Sequence, residues 1–221
     1  MIKACIFDLD GTLLYTLDTI NYYLNQTLRE FGQAPIDRVT CRSFIGNGAA
    51  KLIERAFTRF GITDAGVHRE ALKKYNAAYD ANPYYLTEPY PGVLDLLRGL
   101  SMRGIKLGVL SNKPDFATRA VVLHFFGSLV EYVQGATEDT SSLKPNPKST
   151  LDMLSAMGCA PGELAFIGDS QVDIKTAAAA GARQALGVAW GYGKTEELCI
   201  AGADSVATDS VELLGVILNA H

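Results

Sequence analysis

The chain has no apolar run of the roughly 18 residues that a membrane-spanning helix needs, which argues against a membrane protein. It has no excess of basic residues. Its 20 Lys and Arg stand against 24 Asp and Glu, a formal net charge of -4, which argues against a nucleic-acid partner held by bulk charge. Cysteine is sparse: Cys5, Cys41, Cys159 and Cys199 show no paired or zinc-site spacing. They read as free thiols in a reducing, cytoplasmic compartment. Repeats and low-complexity tracts are missing, and a strand pattern starts almost at Met1, which reads as no signal peptide. His68, His124 and His221 lie in no motif and read as structural or surface residues. What is present is length and apolar content. With 221 residues, 48% of them hydrophobic, the chain can bury a real core. At roughly 100–200 residues per domain it is one large domain or one plus a smaller one.

The most informative stretch is Cys5-Ile6-Phe7-Asp8-Leu9-Asp10-Gly11-Thr12-Leu13. A short apolar run ends at carboxylates and a glycine, as a strand buried on both faces does. Asp8 then stands at the carboxyl end of a central strand, where open α/β sheets bind ligands. Asp10 is close enough to serve the same site, and the N–H groups of Gly11 and Thr12 are expected to face an anion. Two acids beside such a turn suit a nucleophile and a proton donor, or two metal ligands. They also suit a plain Asp-Gly turn after a strand, and all three readings stay open on this stretch alone.

Further along, helical spacing recurs over 16–31, after Pro35, over 49–60 and over 63–79, with the glycine-punctuated loop Ser43-Phe44-Ile45-Gly46-Asn47-Gly48 between the second and third segments. No strand pattern interrupts residues 16–82, and Pro83, Pro89 and Pro91 cluster behind them. This predicts a helical domain at 16–82, inserted through linkers near 14–17 and 82–90 into a core of 1–15 and 83–221. In that core, helices at 92–102, 115–126, 147–157, 172–180 and 195–201 alternate with strands at 106–110, 129–133, 164–167 and 184–188. Such alternation predicts right-handed crossovers and a doubly wound parallel sheet, a Rossmann-like α/β core. Asp8, Ser111 and Asp169 each follow a strand, and Lys144 precedes a helix. In a parallel sheet all of these open on one side.

Asp8-x-Asp10-Gly11-Thr12-Leu13, Ser111-Asn112, Lys144-Pro145 and Gly168-Asp169-Ser170-x-x-Asp173, in that order, resemble the four motifs of the haloacid dehalogenase superfamily. The core matches over 1–15 and 90–210, and the inserted helices resemble that superfamily's four-helix cap. The segment Arg42-x-x-Ile45-Gly46-Asn47-Gly48-Ala49 with Leu52 and Arg55-Ala56 is similar to phosphoglycolate phosphatases.

The resemblance implies a Mg²⁺-dependent phosphatase of small phosphorylated metabolites, phosphoglycolate first among them, acting as a monomer or homodimer. It implies that Asp8 attacks phosphorus and becomes an aspartyl phosphate. Asp10 would protonate the leaving alkoxide and then deprotonate water. That requires a protonated Asp10 when substrate binds, which a crowded acidic site favours. Mg²⁺ would be held by the carboxylates of Asp8 and Asp169 and the carbonyl of Asp10, with Asp173 supporting it directly or through water or Lys144. Ser111 and the backbone of Asn112 would hold phosphoryl oxygens, Lys144 would offset charge, and Gly46 and Asn47 are expected to face the substrate. Against this stand plainer readings: Ser111 and Asp169 as helix caps, Asp173 as a first-turn acid, Lys144 as a solvated lysine. Arg42, Lys51 and Arg55 read as ordinary surface, and Trp190, Tyr192 and Tyr84-Tyr85 as packing. Within the superfamily the rivals are a phosphosugar mutase and a pyrophosphatase; a dehalogenase would not need an acid at Asp10. Outside it, a receiver-like signalling domain also uses an aspartate, a Ser/Thr and a lysine beside Mg²⁺, but there the phospho-aspartate persists. A binding protein on a retired catalytic fold is the third rival, yet no motif residue is missing.

Overall fold

A computed structural model describes residues 1–137 and 139–219; His221 lies outside the described residues. The chain opens with β1 (Ala4–Phe7) and β2 (Leu14–Tyr15), continues through helices α1 (Leu17–Glu30), α2 (Arg38–Arg42), α3 (Ala49–Thr58) and α4 (Ala65–Ala81), and returns through β3 (Glu88–Pro89). Then α5 (Val93–Ser101), β4 (Lys106–Pro114), α6 (Asp115–Phe126), β5 (Tyr132–Ala136), α7 (Lys148–Met157), β6 (Leu164–Gly168), α8 (Gln171–Ala180), β7 (Gln184–Val188), α9 (Thr195–Ile200), β8 (Ser205–Ala207) and α10 (Ser210–Leu218) follow.

Six strands form one parallel sheet in the order β5-β4-β1-β6-β7-β8. The alternation within β1 shows why both faces are covered. Cys5 and Phe7 enter an apolar cluster with Leu97 of α5, Val121 of α6 and Ile217 of α10. Ala4 and Ile6 enter another with Met153 of α7, Ile174 of α8 and Leu198 of α9. A strand with period-two side chains and two helical layers must be apolar throughout, which is the run read in the sequence. The chain winds outward from β1 to β5 and then crosses to the opposite side at β6. The strand order therefore reverses at β1, and the crevice beyond its carboxyl end is where such sheets take ligands.

Helices α1–α4 bury most of a third cluster, including Leu24, Leu28, Ile53, Phe57, Ala71 and Tyr75, which Ala117 of α6 joins. Asp37 and Asp64 cap α2 and α4 by accepting from the N–H groups of Thr40 and Val67. The expected linkers are tied together, since β2 and β3 pair antiparallel at Leu14–Pro89 and Tyr15–Glu88.

Several elements depart from the sequence reading. The strand expected at 129–133 lies at 132–136, because Gly127–Leu129 form a short 3₁₀ turn first. β4 does not stop at Leu110 but runs through Ser111-Asn112-Lys113, with its register against β5 shifted between Leu110 and Pro114. The short strands β2, β3 and β8 and the helix α10 carry too little periodic signal to have been read. Among the described residues no helix is long and apolar enough to cross a membrane.

Candidate active site

Beyond the carboxyl ends of β1, β4 and β6 lies a cavity of about 740 Å³, lined by Asp8, Asp10, Ser111, Asn112, Lys144 and Asp169, among others. Gly46, Asn47 and Gly48 of the loop before α3 line it as well. Asp173 is placed behind this wall, fully buried.

Lys144 organises the floor. Its ammonium lies 2.7 Å from Asp8 Oδ1 and 2.6 Å from Asp173 Oδ1. Burial alone would lower its pKa, but Asp173 and Asp8 outweigh that and raise it. The other oxygen of Asp173 accepts from the Ser170 N–H at 3.1 Å and the Ser170 hydroxyl at 2.6 Å. Asp173 is therefore both a first-turn acid of α8 and the second partner of Lys144, with each oxygen engaged. The Lys144 loop is in turn gripped by Asn112, whose Oδ1 accepts from Lys144 N–H at 2.9 Å and whose Nδ2 donates to Lys144 O at 3.1 Å. The same Nδ2 reaches Gly46 O at 3.3 Å, so one amide joins β4, the Lys144 loop and the Gly46 loop. The hydroxyl of Ser111 accepts from the Lys113 N–H at 3.2 Å.

Oxygens of Asp8, Asp169 and Asp173 lie within 4.8 Å of one another. Burial first, then the negative charge of Asp173 and Asp10, push Asp8 up to about 7 against the pull of Lys144. Burial, then Asp8 and Asp173, push Asp169 up to about 8. One ammonium does not balance three buried carboxylates, and hard oxygen donors in that surplus suit a small divalent cation such as Mg²⁺. The donor set therefore fits the metal that the sequence implied.

The turn after Asp8 differs from its expected use. Gly11 N–H donates to Leu14 O at 2.9 Å and Thr12 N–H to Leu9 O at 3.3 Å, so both close the turn and neither is free for an anion. What Gly11 contributes is space. It adopts φ of +87°, and a Cβ there would collide with the Asp169 carboxylate.

Asp10 faces Lys113, whose ammonium is 3.2 Å from Oδ1 and 3.4 Å from Oδ2, with Tyr79 OH at 2.6 Å. Lys113 had no motif to mark it apart from its place directly after Ser111-Asn112. Asn47 lines the cavity, but its side-chain oxygen accepts from Arg55 at 2.8 Å.

Residues 190–193 are more than packing. Tyr192 N–H donates to Asp169 Oδ2 at 2.6 Å, and its hydroxyl accepts from Thr16 N–H at 2.7 Å. Trp190 Nε1 donates to Thr12 O at 3.0 Å. Arg42 is not plain surface either: its guanidinium donates to the carbonyls of Tyr192, Gly191 and Gly193 at 2.6, 3.2 and 3.4 Å. Tyr84 stacks on His124 and Tyr85 meets Tyr22 edge-on, as packing residues do, and His68 bonds the carbonyl of Ile62.

Known proteins resemble this chain in sequence and in fold. The model of the haloacid dehalogenase-like hydrolases matches residues 5–186. A phosphoglycolate phosphatase of Rhodospirillum rubrum is 35% identical over 220 residues, covering 96% of this chain and 90% of that protein. The crystal structure of a candidate phosphoglycolate phosphatase from Lactobacillus delbrueckii subsp. bulgaricus superposes with a TM-score of 0.91 at 27% identity, covering 98% of each chain. That of CbbY from Rhodobacter sphaeroides, in complex with phosphate, does so with a TM-score of 0.77 at 25% identity, covering 96% of each.

Proposed function

The chain belongs to the haloacid dehalogenase-like hydrolase family and is a phosphatase, and from that premise we propose that it hydrolyses small phosphate monoesters through a phosphorylated Asp8, with phosphoglycolate the first substrate to test. The observation that carries this is the convergence of Asp8, Asp10, Ser111, Lys144 and Asp169 on one cavity. Phosphoryl transfer asks for an in-line nucleophile, charge neutralisation and a proton for the leaving oxygen. Asp8, held by Lys144, forms the new O–P bond while the bond to the leaving oxygen breaks. Asp10 gives that oxygen its proton and then takes one from the water that hydrolyses the phosphoryl-Asp8. Ser111 and the Asn112 backbone orient the phosphoryl oxygens. Asp8, Asp169 and the Asp10 carbonyl, backed by Asp173, hold Mg²⁺, which supplies positive charge against the phosphoryl group.

Residues 16–82 act as a cap over the core of 1–15 and 83–221. The loop at Gly46 and Asn47 lines the same cavity as Asp8 and reads the leaving group. A covered cavity favours small metabolites over phosphoproteins. The same cover, with Asp10 beside Asp8, favours turnover over a persistent phospho-aspartate signal. A panel of phosphomonoesters assayed with Mg²⁺ tests the proposal. Phosphoglycolate and similar small esters are expected to give the highest kcat/KM; no turnover of any ester, or a preference for phosphoproteins, would refute it.

A further inference from the structure

Lys113 stands outside the mechanism just given, yet it is the residue that ties the helical segment to Asp10. Its side chain is 4% exposed, so its ammonium must be satisfied within the protein. Among the described residues its ammonium has two hydrogen-bond partners. Tyr79, on α4, accepts at 2.6 Å and also lays its ring under the ammonium, 4.2 Å from the centroid. Asp10, after β1, is bonded through both oxygens at 3.2 and 3.4 Å. The comparison with Lys144 is instructive, because that lysine holds its carboxylates at 2.6–2.7 Å. Lys113 is bound closely by the tyrosine and more loosely by the acid, so α4 fixes where the ammonium stands and the ammonium fixes where the Asp10 carboxyl turns. Lys113 approaches Asp10 from β4, and Tyr79 approaches from the inserted helices.

We infer that Lys113 is a positioning residue for Asp10, held by Tyr79, so that the proton donor is aligned only when α4 is docked on the core. This rests on the phosphatase reading above and deepens it. As the ester bond breaks, the Asp10 proton passes to the leaving oxygen, and the carboxylate left behind faces the ammonium of Lys113. Asp8, Lys144 and Asp169 lie on other contacts, so nucleophilic attack does not depend on Lys113.

Two small substrates separate these steps. An alkyl phosphate leaves as an alkoxide and needs the proton; acetyl phosphate leaves as acetate and does not. The ratio kcat/KM reports steps up to departure of the leaving group, so later hydrolysis of phosphoryl-Asp8 does not mask the comparison. General acid–base catalysis contributes about 10²–10⁴-fold, so Lys113→Met is expected to lower kcat/KM for the best alkyl phosphate by about tenfold or more, and that for acetyl phosphate by about threefold at most. Tyr79→Phe keeps the ring and loses only the hydroxyl, and is expected to show the same inequality with a smaller loss; it decides the matter if Lys113→Met does not fold. Equal losses on both substrates, or no loss on the alkyl phosphate, would overturn the inference and leave the phosphatase reading standing. A wild-type protein inactive on both substrates, or an Asp8→Asn protein active on them, would overturn the phosphatase reading and the inference with it.

Discussion

Replacing Lys144 by methionine keeps the hydrocarbon stem and removes the charge. In the native arrangement that side chain is 3% exposed and its ammonium touches Asp8 and Asp173. Breaking a buried pair by deleting one partner costs about 3–5 kcal/mol, because the remaining charge is stranded. The cost is pH-dependent, and its sign follows from Asp8 and Asp169, which stand at about 7 and about 8. Each binds its proton more tightly folded than unfolded. Each therefore contributes stability that is fully present below the unfolded carboxyl value of about 4 and is lost as pH rises through the folded value. The metal-free wild-type protein should lose stability between about pH 4 and pH 8. Lys144 lowers both carboxyls, so without it they move further up and the loss extends to higher pH. At pH 8.5 the Lys144→Met protein should be less stable than wild type by about 3–5 kcal/mol. For a chain of this size that is a Tm drop of about 6–20 °C. At pH 5.5 Asp8 and Asp169 hold their protons in both proteins. The difference should then be smaller, because what remains is the loss of the Lys144 bond to the buried Asp173. Thermal and urea melts in chelator at the two pH values measure it. A difference that is the same at both, or under ~1 kcal/mol at pH 8.5, would show that Lys144 does not neutralise this cluster.

Three further outcomes are expected. Asp8→Asn removes the nucleophilic oxygen but not the shape, so turnover should vanish while circular dichroism and Tm show an intact fold; a folded variant with near wild-type rate would end the assignment. Mg²⁺ should raise the Tm more at pH 8.5 than at pH 5.5, since it competes with protons for Asp8 and Asp169, and chelation should stop turnover until Mg²⁺ is restored; full activity in excess chelator would count against a metal site here. Gly48 has φ of +84°, and a Cβ there would stand 3.2 Å from Asn112 O, so Gly48→Ala should shift the Gly46–Gly48 loop and change relative kcat/KM across a panel of small phosphates more than it changes the Mg²⁺ requirement. An unchanged ranking would remove the loop from substrate selection.

The parallel sheet was legible because burial on both faces forces continuous apolar runs. Ala4–Phe7, Leu164–Gly168 and Gln184–Val188 were read within a residue of their observed limits for that reason. The helices of 16–82 were legible from their amphipathic spacing. β5 was misplaced because Leu129 and Val130 look like strand residues, and only the tertiary context makes Gly127–Leu129 a turn. The ribbon of β2 and β3 has two residues on each side, too few to show a period. Of the site, the acids and Lys144 were legible as motif residues with roles that the resemblance implied, but the meeting of Lys113 with Asp10 was not. The pairing of Lys144 with Asp173 spans 29 positions and that of Lys113 with Asp10 spans 103, and no local pattern encodes which lysine meets which acid.

The segment 190–193 is opaque in the sequence for a different reason. Its contacts use backbone groups: Arg42 donates to carbonyls of Gly191, Tyr192 and Gly193, and Asp169 accepts a peptide N–H from Tyr192. A peptide group is the same in every residue, so such contacts leave no mark on side-chain chemistry. They leave one on side-chain size. A Cβ at Gly191 would strike the Asp169 side chain, and one at Gly193 would strike the Asp169 carbonyl, so the two glycines flanking Tyr192 record that a backbone passes against Asp169. The aromatic between them then looks like packing because its polar work is done by its peptide N–H and by a hydroxyl that meets another peptide, that of Thr16. Through this one segment the start of the inserted helices, the arginine of α2 and the carboxylate of Asp169 share a support, held by bonds of 2.6–3.4 Å.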